Sequence, residues 1–459
     1  MLKIVTAQLK VQPGHPSENT ENMLTMIAQA KDQGADLIIF PEMAVPGYLL
    51  GDTWEQYAFL QDCEECGQDI INASQDIAII FGNVAVDWEK KNYDGRVRKY
   101  NALFTAWQGK LVQPRNMPYP YVIKTLMPNY REFDDTRYFF GLKQLAEEMG
   151  TQAAKLIGTV PLTIKGQDYN IGGFLCEDGW SEDYNLAPVE VLTHQGVDML
   201  VNISASPYTL GKNGKRHRVF GKQAKAAGVP LFYVNNVGIQ NNGKTVYTFD
   251  GSSTLYNGQG LMVDCLPKYQ QGMGIYELDK IQTMPKFQRE KQPDIAHIFA
   301  AIEYAVKEFL ADIHMDKVVI GISGGIDSAV AAALYTHILG PEKVLLVNMP
   351  SVYNSATTKG LAQELAINLG CNYTIMPIQE SVDHTIDQLE HIPVTFLKDG
   401  SKFNLQVSSF VAENIQARDR SARVLAGAAA AFGGGFTCNA NKAETTVGYS
   451  TLYGDQSGF

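Results

Sequence analysis

Two short apolar runs set the pattern of the first half of the chain. Asp36-Leu37-Ile38-Ile39-Phe40 closes on Pro41-Glu42, and Asp198-Met199-Leu200-Val201-Asn202-Ile203 runs into Ser204-Ala205-Ser206-Pro207. Both read as buried strands. A helical pattern precedes each. Met23, Ile27 and Ala30 predict a helix over 19–33 stopped by Gly34, and a second covers 186–194 near Gly196. Further strands are predicted over 3–9, 77–86, 100–107 and 156–164. A helix over 216–227 leads into a strand over 231–237, and turns follow at Asn241-Asn242-Gly243 and Asp250-Gly251. Strands interleaved with a few helices predict a layered α/β sandwich.

Periodicity fades over 280–292, a polar stretch with Pro285, Lys286, Arg289, Glu290 and Lys291. This places one domain at 1–280, a linker at 281–296 and a second domain at 297–459. Ile298, Ile302, Ala305, Val306 and Phe309 then line one helical face. Beyond it, a strand over 318–322, a helix over 328–339, a strand over 344–348, a helix over 355–369 and a strand over 373–377 alternate. Gly340 and Gly370 stop the two helices. That order predicts a doubly wound parallel sheet with its ligands at the carboxyl edge.

Composition narrows the class. With 459 residues, 45% hydrophobic and 19% charged, the chain suits two globular domains. A net charge of −11 disfavours broad binding to nucleic acid or a membrane surface. No run approaches the ~18 apolar residues of a membrane span, and no long apolar leader follows Met1. The six scattered cysteines fit a reducing cytoplasm. Cys63-Glu64-Glu65-Cys66 has no second pair at zinc spacing and reads as two thiols one helical turn apart.

The candidate chemistry begins at Ser323-Gly324-Gly325-Ile326-Asp327-Ser328, between a strand and a helix. Glycine-freed backbone at a helix N-terminus is an anion cradle, and no Gly-Lys-Ser/Thr follows to make it a Walker loop. The motif resembles the pyrophosphate-binding loop of the ATP pyrophosphatase superfamily. That resemblance implies adenylation of a substrate oxygen, release of pyrophosphate and displacement of AMP by a nucleophile.

In the first half, Glu42, Lys124 and Cys176 stand at or near strand ends. Singly, such a Glu is a solvated or capping group, such a Lys a surface charge and such a Cys a core residue. Together, Phe40-Pro41-Glu42, Lys124-Thr125-Leu126-Met127-Pro128-Asn129-Tyr130 and Cys176-Glu177-Asp178 resemble the nitrilase superfamily, with its α-β-β-α sandwich and Glu-Lys-Cys triad. A Cys176 thiolate, its pKa lowered by Lys124, would attack an amide carbon. Glu42 would carry protons, and Lys124 with a backbone N–H would hold the oxyanion. Met127 through Asp135, including Glu132, resembles the glutaminase branch. That likeness implies a glutamine pocket with Tyr130, Glu177, Ser206 and Lys212; Ser206 reads equally as a turn serine before Pro207.

Three later segments, Glu413-Asn414-Ile415-Gln416-Ala417-Arg418-Asp419-Arg420, Asn439-Ala440-Asn441-Lys442-Ala443-Glu444 and Gly448-Tyr449-Ser450-Thr451-Leu452-Tyr453-Gly454-Asp455, resemble NAD⁺ synthetases. By that resemblance Ser323, Gly324, Gly325, Ser328 and Asn439 bind ATP, Asp327 and Glu444 ligate Mg²⁺, and Asn414 and Arg418 contact deamido-NAD⁺. Joined, the halves resemble glutamine-dependent NAD⁺ synthetases: cytoplasmic, homo-oligomeric ligases that use ATP, glutamine and deamido-NAD⁺ and channel ammonia between sites. Such proteins continue well past the point matching Phe459, so the second domain is expected to lack its C-terminal part. The alternatives are a stand-alone nitrilase or amidase with a vestigial nucleotide-binding domain, another amidotransferase of the same ATP superfamily, and a non-catalytic nucleotide-binding module.

Overall fold

The structure is a computed structural model that describes residues 2–458 apart from Glu132, 242–244, 289–291, 353–354 and Asp455. The predicted turn at Asn242-Gly243, linker residues Arg289 to Lys291, motif residues Glu132 and Asp455, and Phe459 therefore lie outside the described residues. The chain divides into Met1–Ala305 and Val306–Phe459, a division that falls inside the helix Asp294–Asp312.

The first unit is the α-β-β-α sandwich. One sheet runs Gly272–Glu277, Lys3–Gln8, Leu37–Ile39, Ala78–Lys91, Val97–Trp107 and Lys110–Leu111, with Val122–Ile123 also paired to Val97–Trp107. The other runs Met262–Cys265, Thr254–Tyr256, Leu231–Asn235, Met199–Ser204, Gln167–Leu175 and Val160–Ile164. Ile4, Leu37, Ile80 and Leu103 of the first meet Ile171, Leu175, Val201 and Phe232 of the second in a shared core. The opposite faces are also covered. Met23, Ile27 and Ile70 from the helices Pro16–Asp32 and Tyr57–Asn72 pack on Ile38 and Phe81; Leu145, Leu192 and Phe220 pack on Phe174 and Tyr233. Burial on both faces is why these strands read as continuous apolar runs. Cys63 and Cys66 are free thiols buried on one helix.

Several boundaries differ from expectation. The strand predicted over 156–164 begins only at Val160, after a helical turn Ala153–Leu156. Between them Gly158 passes so close to the Arg115 carbonyl that a Cβ would lie 1.6 Å from its oxygen. The strand predicted over 231–237 breaks after Asn235, because Val237 turns to pair with the chain at Leu9 and Val11. The helix predicted from 216 starts at Lys212 behind Gly211, whose φ of 79° sets the entry. The 3₁₀ helix Leu278–Thr283 carries regular structure across the expected boundary at 280 into the first residues of the linker.

The second unit is the doubly wound sheet. Its strands lie in the order Asn372–Ile375, Val344–Asn348, Val318–Gly321 and Gly435–Phe436, all parallel. Leu310, Ala332 and Ala362 cover one face; Val382, Leu425 and Ala428 cover the other. The chain leaves Val318–Gly321 toward one edge and later returns to its other side. The carboxyl end of that strand is therefore the topological switch point, where such sheets open a crevice.

Candidate functional site

In the first unit, three strand ends bring the predicted triad together out of solvent. Glu42 follows Leu37–Ile39, Lys124 follows Val122–Ile123, and Cys176 follows Gln167–Leu175; they are 0%, 1% and 6% exposed. Glu42 Oε1 accepts from Lys124 Nζ at 2.9 Å and from Asn101 Nδ2 at 2.8 Å. Its Oε2 accepts from the Ala205 N–H at 2.8 Å. Lys124 Nζ also donates to Asp135 at 2.8 Å, and Asp135 takes a short hydrogen bond from the Tyr48 hydroxyl. Cys176 sits at φ 33°, a left-handed conformation costly for a side-chain-bearing residue and characteristic of sites whose surroundings over-determine them.

Burial pulls against the charge of Lys124, but Asp135 and then Glu42 outweigh it and hold the ammonium well above the ordinary lysine value. The thiol behaves differently from expectation. Burial first, and the Glu42 charge next, push Cys176 well up, and Lys124 offsets only part of this. Lys124 is already paired with two carboxylates, so its pull on the sulfur is smaller than the sequence suggests, and the net push on the thiol pKa is upward, not downward.

Above this cluster lies a cavity of about 400 Å³ whose walls include Cys176, Tyr130, Glu177, Ser206 and Lys212. All the predicted glutamine-pocket residues thus meet at the predicted nucleophile. The Glu177 carboxylate accepts from Tyr130 Oη at 3.0 Å and from Tyr184 Oη at 2.9 Å. Burial raises its pKa, with Tyr184, Lys124 and Tyr130 opposing. Lys212 Nζ donates to the Pro207 carbonyl at 3.0 Å. The Ser206 carbonyl is held by buried Arg216 at 2.7 Å, and Arg216 pairs with Asp250 at 2.8 Å.

The second unit gathers the other predicted residues at its switch point. The helix Ile326–Leu339 begins two residues earlier than expected, which puts Asp327 and Ser328 in its first turn. Gly324 has φ 86°, and a Cβ there would lie 2.3 Å from the Thr358 carbonyl oxygen, so only glycine fits. Ser323 Oγ accepts from the Gly325 N–H at 3.1 Å and lies 3.2 Å from Ser328 Oγ. Gly324 and Gly325 shape this loop; Ser323, Asp327, Ser328, Asn439 and Glu444 line a cavity of about 460 Å³ beside it. Asn441 links the two carboxylates. It forms a reciprocal cap with Glu444 at 2.9 Å, and its Nδ2 stands 3.5 Å from Asp327 Oδ1.

An adjoining cavity of about 420 Å³ takes in Asn414. Arg418 does not line it; its Nε donates to the Leu452 carbonyl at 3.3 Å. Arg420 lines both cavities from the π-helical stretch Asp419–Leu425, and the sequence reading quoted it without giving it a role. Among the described residues no three His, Cys, Asp or Glu side chains gather as a metal cage. Mg²⁺ asks for less: one or two carboxylates, with water and phosphate oxygens completing the shell. Asp327 and Glu444 on one cavity fit that donor set.

Sequence reasoning missed Asn101, Asp135, Tyr48, Tyr184 and Asp178. Asp135 and Asp178 stood inside quoted motifs. Tyr184 and Asn101 carried no local signal, because their importance lies in what they touch.

The carbon-nitrogen hydrolase family model matches residues 3–286, and the NAD synthase model matches residues 298–458. A glutamine-dependent NAD(+) synthetase of Synechocystis sp. is 33% identical over 469 aligned residues, covering 100% of this chain and 77% of that protein. The structure of a glutamine-dependent NAD+ synthetase from Acinetobacter baumannii, in complex with ADP, is 28% identical. It superposes with a TM-score of 0.80 and covers 100% of this chain and 78% of the other. A Cytophaga hutchinsonii structure of the same name shares the fold at 17% identity and a TM-score of 0.75, with 100% of this chain and 77% of the other covered. A nitrilase-type hydrolase unit and an ATP-pyrophosphatase-type unit in one chain define a glutamine-hydrolysing ligase. This chain belongs to the family of glutamine-dependent NAD(+) synthetases.

Proposed function

We propose that this protein converts deamido-NAD⁺ to NAD⁺, taking ammonia from glutamine at Cys176 and activating the nicotinate carboxylate with ATP. The observation that carries the first half is the cavity in which Tyr130, Glu177, Ser206 and Lys212 surround Cys176 above the Glu42–Lys124 pair. Glu177, backed by two phenols, suits an α-amino group, and Lys212 suits a carboxylate.

As the Cys176 sulfur attacks the amide carbon, its proton passes to Glu42. The new oxyanion is met by Lys124 and a backbone N–H. The C–N bond then breaks, Glu42 returns the proton to the leaving ammonia, and water hydrolyses the thioester.

In the second unit, the Ser323–Ser328 loop would hold the pyrophosphate end of ATP on the helix N-terminus, and Asn439 would touch the nucleotide. Asp327 and Glu444 would hold Mg²⁺, which supplies charge neutralisation on the phosphates. Asn414 would contact the dinucleotide. Arg418, tied to Leu452, would act by fastening that wall. The ADP bound by the Acinetobacter baumannii relative supports nucleotide use. The reading carries with it a cytoplasmic, homo-oligomeric enzyme.

The test compares glutamine with ammonium as nitrogen donor, in the presence of ATP, Mg²⁺ and deamido-NAD⁺. Cys176→Ala should abolish glutamine-driven NAD⁺ formation and spare ammonium-driven formation. Asp327→Ala should abolish both NAD⁺-forming reactions and spare glutamine hydrolysis. Equal loss of both donors in Cys176→Ala would sink the two-site reading.

A further inference from the structure

The mechanism gives no role to a buried carboxyl two residues from Cys176. Asp178 is 1% exposed. Its Oδ1 accepts from the N–H groups of Thr125, at 3.0 Å, and Leu126, at 2.7 Å. Its Oδ2 accepts from the Leu175 N–H at 3.3 Å. Thr125 and Leu126 directly follow Lys124; Leu175 directly precedes Cys176. One carboxyl therefore spans two segments some fifty residues apart in the chain, each carrying a reacting group at its end.

We infer that Asp178 is a positioning residue that holds the sulfur of Cys176 in register with the ammonium of Lys124. This rests on the glutaminase reading above and deepens it. The backbone at Cys176 is in a left-handed conformation, so it needs restraint from outside. The turn is fixed on its other side by the Trp180 N–H on the Glu177 carbonyl at 2.7 Å, and Gly179 lies against Phe220, where a Cβ would come within 2.6 Å of the ring. Those contacts set the turn on its own strand. Asp178 ties it to the backbone directly after Lys124, whereas Glu177 reaches that segment only farther on, at the Tyr130 hydroxyl.

Burial pushes this carboxyl up to about 7, against the pull of three N–H groups and the Lys124 charge. A group so costly to bury is a poor choice for stability alone. It is a good choice for geometry, since a carboxylate has acceptor sites enough for both segments at once. Register matters because a displacement of about 1 Å at a reacting centre can cost about 100-fold in rate.

The experiment measures steady-state glutamine hydrolysis, alkylation of Cys176 by iodoacetamide followed by mass spectrometry, and thermal unfolding. It is run on the full chain as wild type, Asp178→Asn and Asp178→Ala. Asparagine keeps an acceptor for Thr125 and Leu126 but turns an N–H₂ toward Leu175; alanine keeps nothing. We expect kcat and the alkylation rate to fall together, about 10-fold for Asp178→Asn and about 100-fold for Asp178→Ala, the scale of a misplaced reacting group. The KM for glutamine should change far less than kcat, and ammonium-driven NAD⁺ formation should stay at the wild-type rate. If both variants alkylate and turn over within about twofold of wild type, where misplacement would cost far more, the inference is wrong. It is equally wrong if the loss merely follows the unfolded fraction, with normal kcat per folded molecule. A wild-type chain that hydrolyses no glutamine would instead overturn the glutaminase reading itself.

Discussion

The two proposed sites are built on opposite plans. Around Cys176, the charged groups Glu42, Lys124 and Asp135 are buried and bonded to one another before any substrate arrives. Around the Ser323–Ser328 loop, Asp327 is exposed, Ser323 and Ser328 bond within the loop, Asn414 bonds back to Phe410 of its own helix, and Arg418 bonds to Leu452. The difference follows from the chemistry proposed for each. A covalent step on a small neutral amide draws its rate acceleration from fixed donors and acceptors. A nucleotide brings its own charge and counter-ion, so its site needs acceptors left free to meet them. Preorganisation belongs where the protein's own sulfur must form a bond, and openness where a large anion must enter.

This contrast can be broken most forcefully at Lys124. Lys124→Met should leave Glu42 and Asp135 buried without their cation, costing about 3–5 kcal/mol of stability on top of all glutamine hydrolysis. Urea unfolding of the variant reads the first and an ammonia assay the second. Asp327→Ala, at an exposed position, should unfold like wild type; a stable Lys124→Met would erase the distinction.

A smaller effect is expected at Arg216 and Asp250. Burial raises the Asp250 carboxyl, but Arg216 outweighs it and holds the group below the usual carboxylate range. A depressed carboxyl contributes stability that is complete above its unfolded pKa of about 3.9 and disappears as pH falls through the lower folded value. Asp250→Asn should therefore be less stable than wild type at pH 7 by about 3 kcal/mol. The gap should narrow below pH 4 in melting curves taken from pH 7 to 3. A constant gap would place the pair's value in packing instead of charge.

The smallest effect tests the open site. Asn441→Ala removes the cap of the helix Lys442–Val447, worth about 1 kcal/mol locally. It also takes the Asn441 side chain away from the Glu444 N–H and from Asp327, while the Asn441 backbone N–H still holds the Glu444 carboxylate. The global melting temperature should barely move, while the KM for ATP in ammonium-driven synthesis rises. An unchanged KM would show that nucleotide binding does not depend on the Asn441 side chain between Asp327 and the Glu444 helix.

Much of this was legible in the sequence, for identifiable reasons. Continuous apolar runs marked the doubly covered strands, and the residues that make chemistry sit in compact motifs at their ends. The thiol's state was not legible. Lys124 reads as an activating cation beside Cys176 until Asp135 and Glu42 are seen to neutralise it. Nor was the N-terminus at Lys212, since Gly211 sets it through a backbone angle and not through an apolar period. Arg418 and Arg420 could not be told apart by spacing; a π-helical stretch begins between them and turns the second toward both cavities.

The bond from the Ala205 amide to Glu42 spans 163 residues of chain. Glu42, Lys124 and Cys176 all precede in the chain the strand end that fixes the base, so the cluster is complete only once Met199–Ser204 has paired into its sheet. The proposed triad is thus a property of the finished sandwich and of no local stretch of chain, a contact whose closure joins distant segments.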